Sequence, residues 1–138
     1  ERKLKNMKFD CNLIAKKNNI PFIWNTKFPI NSLYLMRGYL AINEKLRKKY
    51  FDLFFNAYWK NNIDISNQEN VNNILENLGI DKENYFEKIQ KVEIKDELKK
   101  LTNIAFEKNI FGAPTFVVNN KIFWGQDRLE YALDEYNS

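Results

Sequence analysis

The sequence predicts an α/β fold in which a long helical block precedes a single β-hairpin. Two short runs of β-branched and aromatic residues, 114–118 and 121–124, predict two strands joined by Asn119 and Asn120. Pro114 suits the first residue of a strand because it has no N–H and a fixed φ. Apolar residues recur at helical spacing through most of residues 32–108, which predicts the helical block.

Six helices are predicted ahead of the hairpin. They cover about residues 2–18, 32–48 and 50–60, a segment after Ser66, a segment capped by Asp81, and about residues 93–108. Ser66 and Glu69 have the spacing of a capping box, and Gly79 is expected to end the helix that they open. In the sixth helix, the apolar positions are Ile94, Leu98, Leu101 and Ala105. A last amphipathic helix is predicted to open at residues 125–127.

The first and third helices carry side chains that bear on function. Cys11 lies in step with Leu4, Met7 and Ile14, so we expect a buried small hydrophobe rather than a reactive thiol. The third helix contains a cluster of aromatic residues, namely Phe51, Phe54, Phe55, Tyr58 and Trp59. Such a cluster predicts a core or a subunit interface, with a hydrophobic substrate pocket as the alternative.

Composition predicts one soluble globular domain that binds neither nucleic acid nor a membrane. Of the 138 residues, 44% are hydrophobic and 29% charged, as in ordinary folded domains. The net charge of +4 arises from 22 basic residues scattered among 18 acidic ones, which favours solvated helix faces over a nucleic-acid site. A mild positive balance suits a small anionic ligand. No apolar run approaches the length of a membrane span.

The chain lacks several reactive side chains, and this excludes some kinds of catalytic and metal site. The single cysteine excludes an internal disulfide and a CxxC pair. With no histidine, the chain has no histidine general base, no histidine-based triad and few of the usual zinc ligands. We therefore expect no metal site, and we expect any reaction to use a nucleophile that a cofactor brings.

Two segments near the C-terminus resemble a known family. The string FGAPTFVV followed by FWGQDRLEYAL resembles the C-terminal signature of kappa-class glutathione transferases and 2-hydroxychromene-2-carboxylate isomerases. The strings IPFIWNTKFPINSLYLMRGYLA and AYWKNNIDIS are more similar to the isomerase branch. The resemblance implies a thioredoxin-like fold of the DsbA/kappa type, with a helical insertion. One domain, 1–138, would then consist of thioredoxin-like portions 1–30 and 111–138 around an insertion at about 31–110.

The same resemblance predicts a truncated N-terminus. The chain begins at Glu1 rather than at a methionine, and the proteins it resembles carry an earlier β-α-β unit with a Ser-Pro motif. We expect that first unit to be missing here. In the related isomerases a serine of that unit contacts the glutathione thiol, and Ser32, Ser66 and Ser138 do not match it. No catalytic residue is therefore assigned in this chain, and we expect the chain alone to be inactive.

The resemblance also implies glutathione as the cofactor and five residues that bind it. A cis Ala113-Pro114 bond would present the backbone of Ala113 to the cysteinyl part of glutathione. Gln126 and Asp127, at a helix start, would hold its γ-glutamyl end, and Lys3 would contact its glycyl carboxylate. From the residues alone, a turn proline, a helix cap and an exposed lysine remain the alternatives.

The implied activity is a glutathione-dependent cis-trans isomerisation of 2-hydroxychromene-2-carboxylate-like aromatic pyruvate adducts. A glutathione thiolate would add reversibly, and rotation followed by elimination would give the isomer. The alternatives are a kappa-class glutathione transferase, a DsbA-like thiol-disulfide oxidoreductase, and a binding or scaffolding fragment without activity. The family further implies a cytoplasmic homodimer that acts on a small aromatic substrate.

Overall fold

The computed structural model describes residues 1–138 and contains seven α-helices and one two-stranded sheet. The elements, in chain order, are α1 (Arg2–Lys17), α2 (Leu33–Ala41), α3 (Glu44–Trp59), α4 (Gln68–Asn77), α5 (Lys82–Lys88), α6 (Val92–Glu107), β1 (Thr115–Val118), β2 (Lys121–Trp124) and α7 (Leu129–Asn137). They divide into two compact units, Glu1–Lys95 and Asp96–Ser138, which are described separately. None of the helices has both the length and the apolar character that crossing a membrane requires.

The second and third helices are divided elsewhere than predicted. The helix expected over residues 32–48 ends at Ala41, because Ile42 is extended, with φ −85° and ψ 164°. Asn43 then caps α3, its side chain accepting a hydrogen bond from the N–H of Lys45 at 2.9 Å. An Asn cap satisfies one of the unpaired N–H groups of a helix start, so a new helix begins there.

The predicted capping box at Ser66 is wrong. The hydroxyl of Ser66 binds the carboxylate of Asp64, and Asn67 caps α4 by accepting from the N–H of Glu69 at 2.8 Å. The end of this helix is as predicted, since Gly79 follows it with a φ of 67°. Asp81 caps α5, as expected, by accepting from the N–H of Asn84 at 2.7 Å.

The core of the first unit lies among α2, α3, α4 and α5. Leu75 is fully buried, and Tyr50 and Tyr85 are 3% and 2% exposed. Their hydroxyls lie 2.8 Å apart, and the Tyr50 hydroxyl donates to the carbonyl of Leu35 at 3.0 Å. Burial, with Tyr85 nearby, raises the pKa of Tyr50 well above its ordinary value, and burial raises the pKa of Tyr85 to about 12. Both hydroxyls stay protonated. Because the Tyr50 hydroxyl donates its proton to Leu35, the Tyr85 hydroxyl is the donor between the two tyrosines.

Two predicted apolar stripes are less buried than expected. In α1, Leu4 and Met7 are 43% and 40% exposed, and only Ala15 is buried. Cys11, predicted to be buried, is half-buried. In α6, which follows the predicted bounds closely, no residue is buried. Both segments therefore form the predicted helices, but the apolar faces of these helices stay largely unburied in this chain.

The hairpin of the second unit forms as predicted. β1 and β2 are antiparallel, with Thr115 opposite Trp124 and Val118 opposite Lys121. Asn119 and Asn120 have φ angles of 48° and 61°, the positive values that a two-residue hairpin turn of this kind requires. The Ala113-Pro114 peptide bond is cis, and so is Phe28-Pro29 in the first unit, which was not anticipated. Helix α7 packs against both strands.

A partly buried carboxylate ties α7 to the hairpin and leads to a testable prediction. Lys121 Nζ lies 2.6 Å from Glu135 Oε2, and Asn119 Nδ2 lies 3.1 Å from Oε1. These hydrogen bonds, that of Lys121 first, hold the pKa of Glu135 below its ordinary value. The ion pair therefore stabilises the fold above the ordinary pKa of glutamate, and this contribution is lost as pH falls through the lowered value.

We expect the Lys121→Met variant to move the pKa of Glu135 back towards its ordinary value. The side-chain carboxyl ¹³C shift, followed by NMR against pH, measures that pKa directly. Lys108→Met, which removes an exposed lysine of the same unit that forms no ion pair, is the matched control. Equal Glu135 pKa values in the parent and Lys121→Met proteins would refute this explanation.

Candidate functional site

The open end of the hairpin brings four of the predicted site residues together. The carbonyl of Pro114 accepts a hydrogen bond from the N–H of Gly125 at 3.0 Å, one step beyond the Thr115 and Trp124 pair. Ala113 and Pro114 therefore lie beside the start of the segment that holds Gln126 and Asp127. All four residues are exposed. The second unit thus exposes these four residues together at this end of the sheet.

Ala113 has backbone hydrogen-bonding groups that the fold leaves free. Its N–H and its C=O make no hydrogen bond within the chain. The neighbouring Thr115 hydroxyl donates to the carbonyl of Gly112 at 2.6 Å, which fixes the loop on the other side of Ala113. An exposed residue with a free N–H and a free C=O can pair with an extended ligand backbone, as an added strand does.

The glycine at position 125 leaves room for the Asp127 carboxylate. The φ of Gly125 is 109°, a conformation that residues with a Cβ rarely adopt, and a Cβ here would lie 2.5 Å from Asp127 Oδ1. The other carboxylate oxygen, Oδ2, accepts from Arg128 at 2.9 Å. Asp127 caps no helix, because the turn begins with Gly125 and has no side-chain cap. The alternative role of Asp127, that of a plain N-cap, is therefore wrong.

The helix expected to open at residues 125–127 begins as a single 3-10 turn, Gln126–Arg128, before α7. The N–H of Arg128 donates to the carbonyl of Gly125 at 3.1 Å, whereas the N–H groups of Gln126 and Asp127 have no acceptor in the chain. Free N–H groups of this kind attract carboxylates. The segment therefore offers donors for an anion and, in Asp127, a carboxylate for a cation.

Lys3 belongs to the first unit and is described by itself. It lies in the first turn of α1, is exposed, and forms neither an ion pair nor a side-chain hydrogen bond. Its ammonium group is available to an anionic ligand, but its environment does not distinguish it from the other exposed lysines of α1, such as Lys5 and Lys8.

The first unit contains an apolar cavity of about 520 Å³, hereafter the aromatic pocket. Its floor consists of core side chains of α2 and α3, among them Leu35, Tyr50, Phe54 and Tyr58. Its walls are formed by Phe28, Met36, Phe51, Phe55 and Trp59. The aromatic residues of α3 therefore serve both as core, as expected, and as the lining of a pocket, which was the alternative.

Part of this lining was not predicted from the sequence. Phe28, Met36 and Tyr39 lie outside the predicted aromatic helix, yet they complete the pocket. Ser32, Met36 and Tyr39 recur at the i, i+4, i+7 spacing of one helix face, and Phe51, Phe55 and Tyr58 do the same on α3. This spacing marks one face of each helix as a candidate lining, whereas the placement of the two helices against each other comes only from the structure.

One polar group at the pocket lacks a partner. The Tyr58 hydroxyl is buried and makes no hydrogen bond in the chain, and the residue is 5% exposed. Burial, with a smaller effect of the Asp64 carboxylate, raises the pKa of Tyr58 above its ordinary value. The group is therefore a neutral hydroxyl. Leaving such a buried group unpaired costs about 1–3 kcal/mol.

Comparison with known proteins gives relatives along nearly the whole chain. The 2-hydroxychromene-2-carboxylate isomerase of Sphingobium xenophagum is 26% identical over 134 residues, which are 97% of this chain and 68% of that protein. The enzyme of the same name from Pseudomonas putida is 27% identical over 128 residues, 92% of this chain and 62% of its own length. The chain thus spans about three fifths to two thirds of these relatives.

A solved structure and a family model assign the fold. The structure of a 2-hydroxychromene-2-carboxylate isomerase matches with a TM-score of 0.83 and 23% identity, over 98% of this chain and 66% of that one. The model of the DSBA-like thioredoxin domain matches residues 1–137. The predicted thioredoxin-like fold and the relationship to these isomerases are confirmed. The chain belongs to the family of DSBA-like thioredoxin domains.

Proposed function

We propose that the protein is a glutathione-dependent isomerase that acts on 2-hydroxychromene-2-carboxylate or a closely similar aromatic substrate. One observation of the structure carries the proposal: the free backbone groups of Ala113 and the exposed Asp127 carboxylate lie on the two segments that the hydrogen bond between Gly125 and Pro114 joins at the open end of the hairpin. The isomerases that align with 92–97% of the chain support the reaction class.

The residues of this end suit the parts of glutathione. The N–H and C=O of Ala113 match the backbone of the cysteinyl residue. The free N–H groups of Gln126 and Asp127 suit the α-carboxylate of the γ-glutamyl end, and the Asp127 carboxylate suits its α-ammonium. Lys3 belongs to the first unit, and its assignment to the glycyl carboxylate, which the resemblance implies, stays a prediction. Bound glutathione would supply the thiol nucleophile of the reaction, since no side chain of this chain is assigned as a nucleophile.

Product analysis tests the reaction. The protein is incubated with 2-hydroxychromene-2-carboxylate, with and without reduced glutathione. We expect an isomer of the same mass, formed only with glutathione, and full recovery of free glutathione. A stable thioether would instead indicate a kappa-class transferase. Isomerisation at equal rates without glutathione would contradict the proposed cofactor.

We expect the Asp127→Asn variant to raise the KM for glutathione about tenfold or more, with little change in kcat. The variant loses a charge-assisted hydrogen bond to the ligand ammonium, an interaction of about 1.5–3 kcal/mol. Asp134→Asn, which changes an exposed aspartate of α7, is the control. The assignment of Asp127 fails if both variants keep the parent KM.

A further inference from the structure

We propose that Thr115 is a positioning residue of the glutathione site, because its hydroxyl fixes the loop from which Ala113 presents its backbone to the ligand. This role rests on the proposed function, since glutathione is the ligand concerned, whereas the order of the loop can be measured without a ligand. Thr115 is the first residue of β1, and it acts on the site through the carbonyl of Gly112.

Three consecutive carbonyl groups before β1 differ in their partners. The carbonyl of Gly112 accepts from the Thr115 hydroxyl at 2.6 Å, and that of Pro114 accepts from the N–H of Gly125 at 3.0 Å. The carbonyl of Ala113, between them, has no partner in the chain. The protein thus holds the peptide groups on both sides and leaves the middle carbonyl free for a ligand.

The Thr115 hydroxyl also sets the direction of the Ala113 N–H. That N–H and the carbonyl of Gly112 belong to one trans peptide group, which is planar, so they point in opposite directions. When the hydroxyl holds the carbonyl, the N–H on the other side of the same plane cannot rotate independently. A donor that is already oriented spares a ligand the entropic cost of ordering it.

Threonine suits this task for two reasons. Its hydroxyl reaches back to the carbonyl three residues earlier, a local pattern that threonine and serine form readily. Its branched Cβ restricts χ1, so little rotamer freedom is lost when the hydrogen bond forms. The hydrogen bond is partly buried, which reduces competition from water.

Trp124 supports the same loop from a second side. Its indole lies directly against Gly112, where an added Cβ would overlap Nε1, and its ring is 5.1 Å from that of Phe111, with 60° between their planes. Trp124 is half exposed, and it forms no hydrogen bond to the loop. Its packing confines the chain, whereas the Thr115 hydroxyl fixes the orientation of the peptide group.

The test compares Thr115→Val, which replaces the hydroxyl with a methyl group of similar size, with Thr115→Ser, which keeps the hydroxyl. Without ligand, ¹⁵N relaxation should give the Ala113 amide an order parameter of about 0.85 in the parent and below about 0.6 in Thr115→Val. Amide titration with reduced glutathione should show a dissociation constant raised about five- to thirtyfold in Thr115→Val, since the ligand must then order one residue's backbone. Thr115→Ser should stay within about twofold of the parent, as one retained hydrogen bond implies.

Thr102→Val is the matched control. The Thr102 hydroxyl also donates to a carbonyl, that of Leu98 at 2.8 Å, but it does so within α6. Both the order of Ala113 and the dissociation constant should be unchanged in this variant. If Thr115→Val does not fold, Thr115→Ala and Thr115→Ser form a second pair that differs only in the hydroxyl, and the same contrast is expected between them.

Two results would overturn the positioning role. One is an unchanged order parameter of Ala113 once the hydroxyl is removed, whether or not glutathione binds. The other is a loosened loop with a dissociation constant that stays within about twofold of the parent, because the hydroxyl would then be merely structural. A loop that loosens as expected in a protein whose parent form binds no glutathione would instead overturn the proposed function.

Discussion

Replacing Gly38 with alanine is expected to lower the free energy of unfolding by about 2–4 kcal/mol, from overpacking and disrupted buried hydrogen bonds. This is the reverse of the usual effect, since alanine in a helix interior is favoured over glycine by about 1 kcal/mol. Because the expected change in unfolding free energy is opposite in sign to the usual one, the substitution tests how closely α2 approaches the tyrosine pair.

The reason lies in the two hydroxyls that face Gly38. A Cβ added there would lie 2.5 Å from the Tyr50 hydroxyl and would overlap the Tyr85 hydroxyl. Both rings are buried, and their hydroxyls are joined to each other and to the carbonyl of Leu35. Neither ring can move away from the added methyl group without breaking these hydrogen bonds. Breaking hydrogen bonds within a buried network is costly.

Urea denaturation measures the effect, and a second variant tests its cause. Tyr85→Phe removes the hydroxyl that the new methyl group would overlap. We expect Gly38→Ala/Tyr85→Phe to be more stable than Gly38→Ala alone, which additive effects of the two changes would not produce. A Gly38→Ala protein as stable as the parent would show that α2 does not approach the tyrosines as described.

Replacing Asn25 with alanine is expected to cost about 2–4 kcal/mol, because three hydrogen bonds, one buried and two partly buried, are lost and their partners are left unpaired. Asn25 is 1% exposed. Its Nδ2 donates to the carbonyls of Tyr58 and Ile63 at 2.9 and 3.0 Å, and its Oδ1 accepts from the N–H of Lys27 at 2.8 Å. The side chain thus joins the loop before Phe28 to the end of α3.

The control for this substitution is Asn73→Ala. Asn73 lies in α4, is exposed and makes no side-chain hydrogen bond, so its replacement should change the unfolding free energy by less than about 0.5 kcal/mol. Similar stabilities of the two variants would contradict the role assigned to Asn25.

Local signals predicted most of the elements. The strand that follows Pro114, the Asn119 and Asn120 turn and the cap at Asp81 were predicted correctly, because each depends on neighbouring residues in the chain. The strand begins at Thr115, one residue after the predicted start. The break at Ile42 was missed because the apolar spacing continues through it. The cap of α4 was assigned to Ser66 rather than Asn67. Both side chains can cap a helix, and the sequence does not show which of two adjacent polar residues does so.

Features that depend on contacts between distant segments were not predicted. Nothing near Asn25 in the sequence marks it as buried, because two of its three partners lie more than 30 residues away. The aromatic pocket needs the relative placement of α2 and α3, which helical spacing within each does not give. The hairpin end was predicted through family resemblance, and the structure adds the free groups of Ala113 and the exposed carboxylate of Asp127.

The most direct test of the central claim, that this chain holds glutathione at its hairpin, is a backbone-amide NMR titration with reduced glutathione. We expect saturable shifts centred on Ala113, Thr115, Gln126 and Asp127, and markedly smaller ones in Asp127→Asn. A well-dispersed spectrum in which these four amides stay unmoved at millimolar glutathione would contradict the claim.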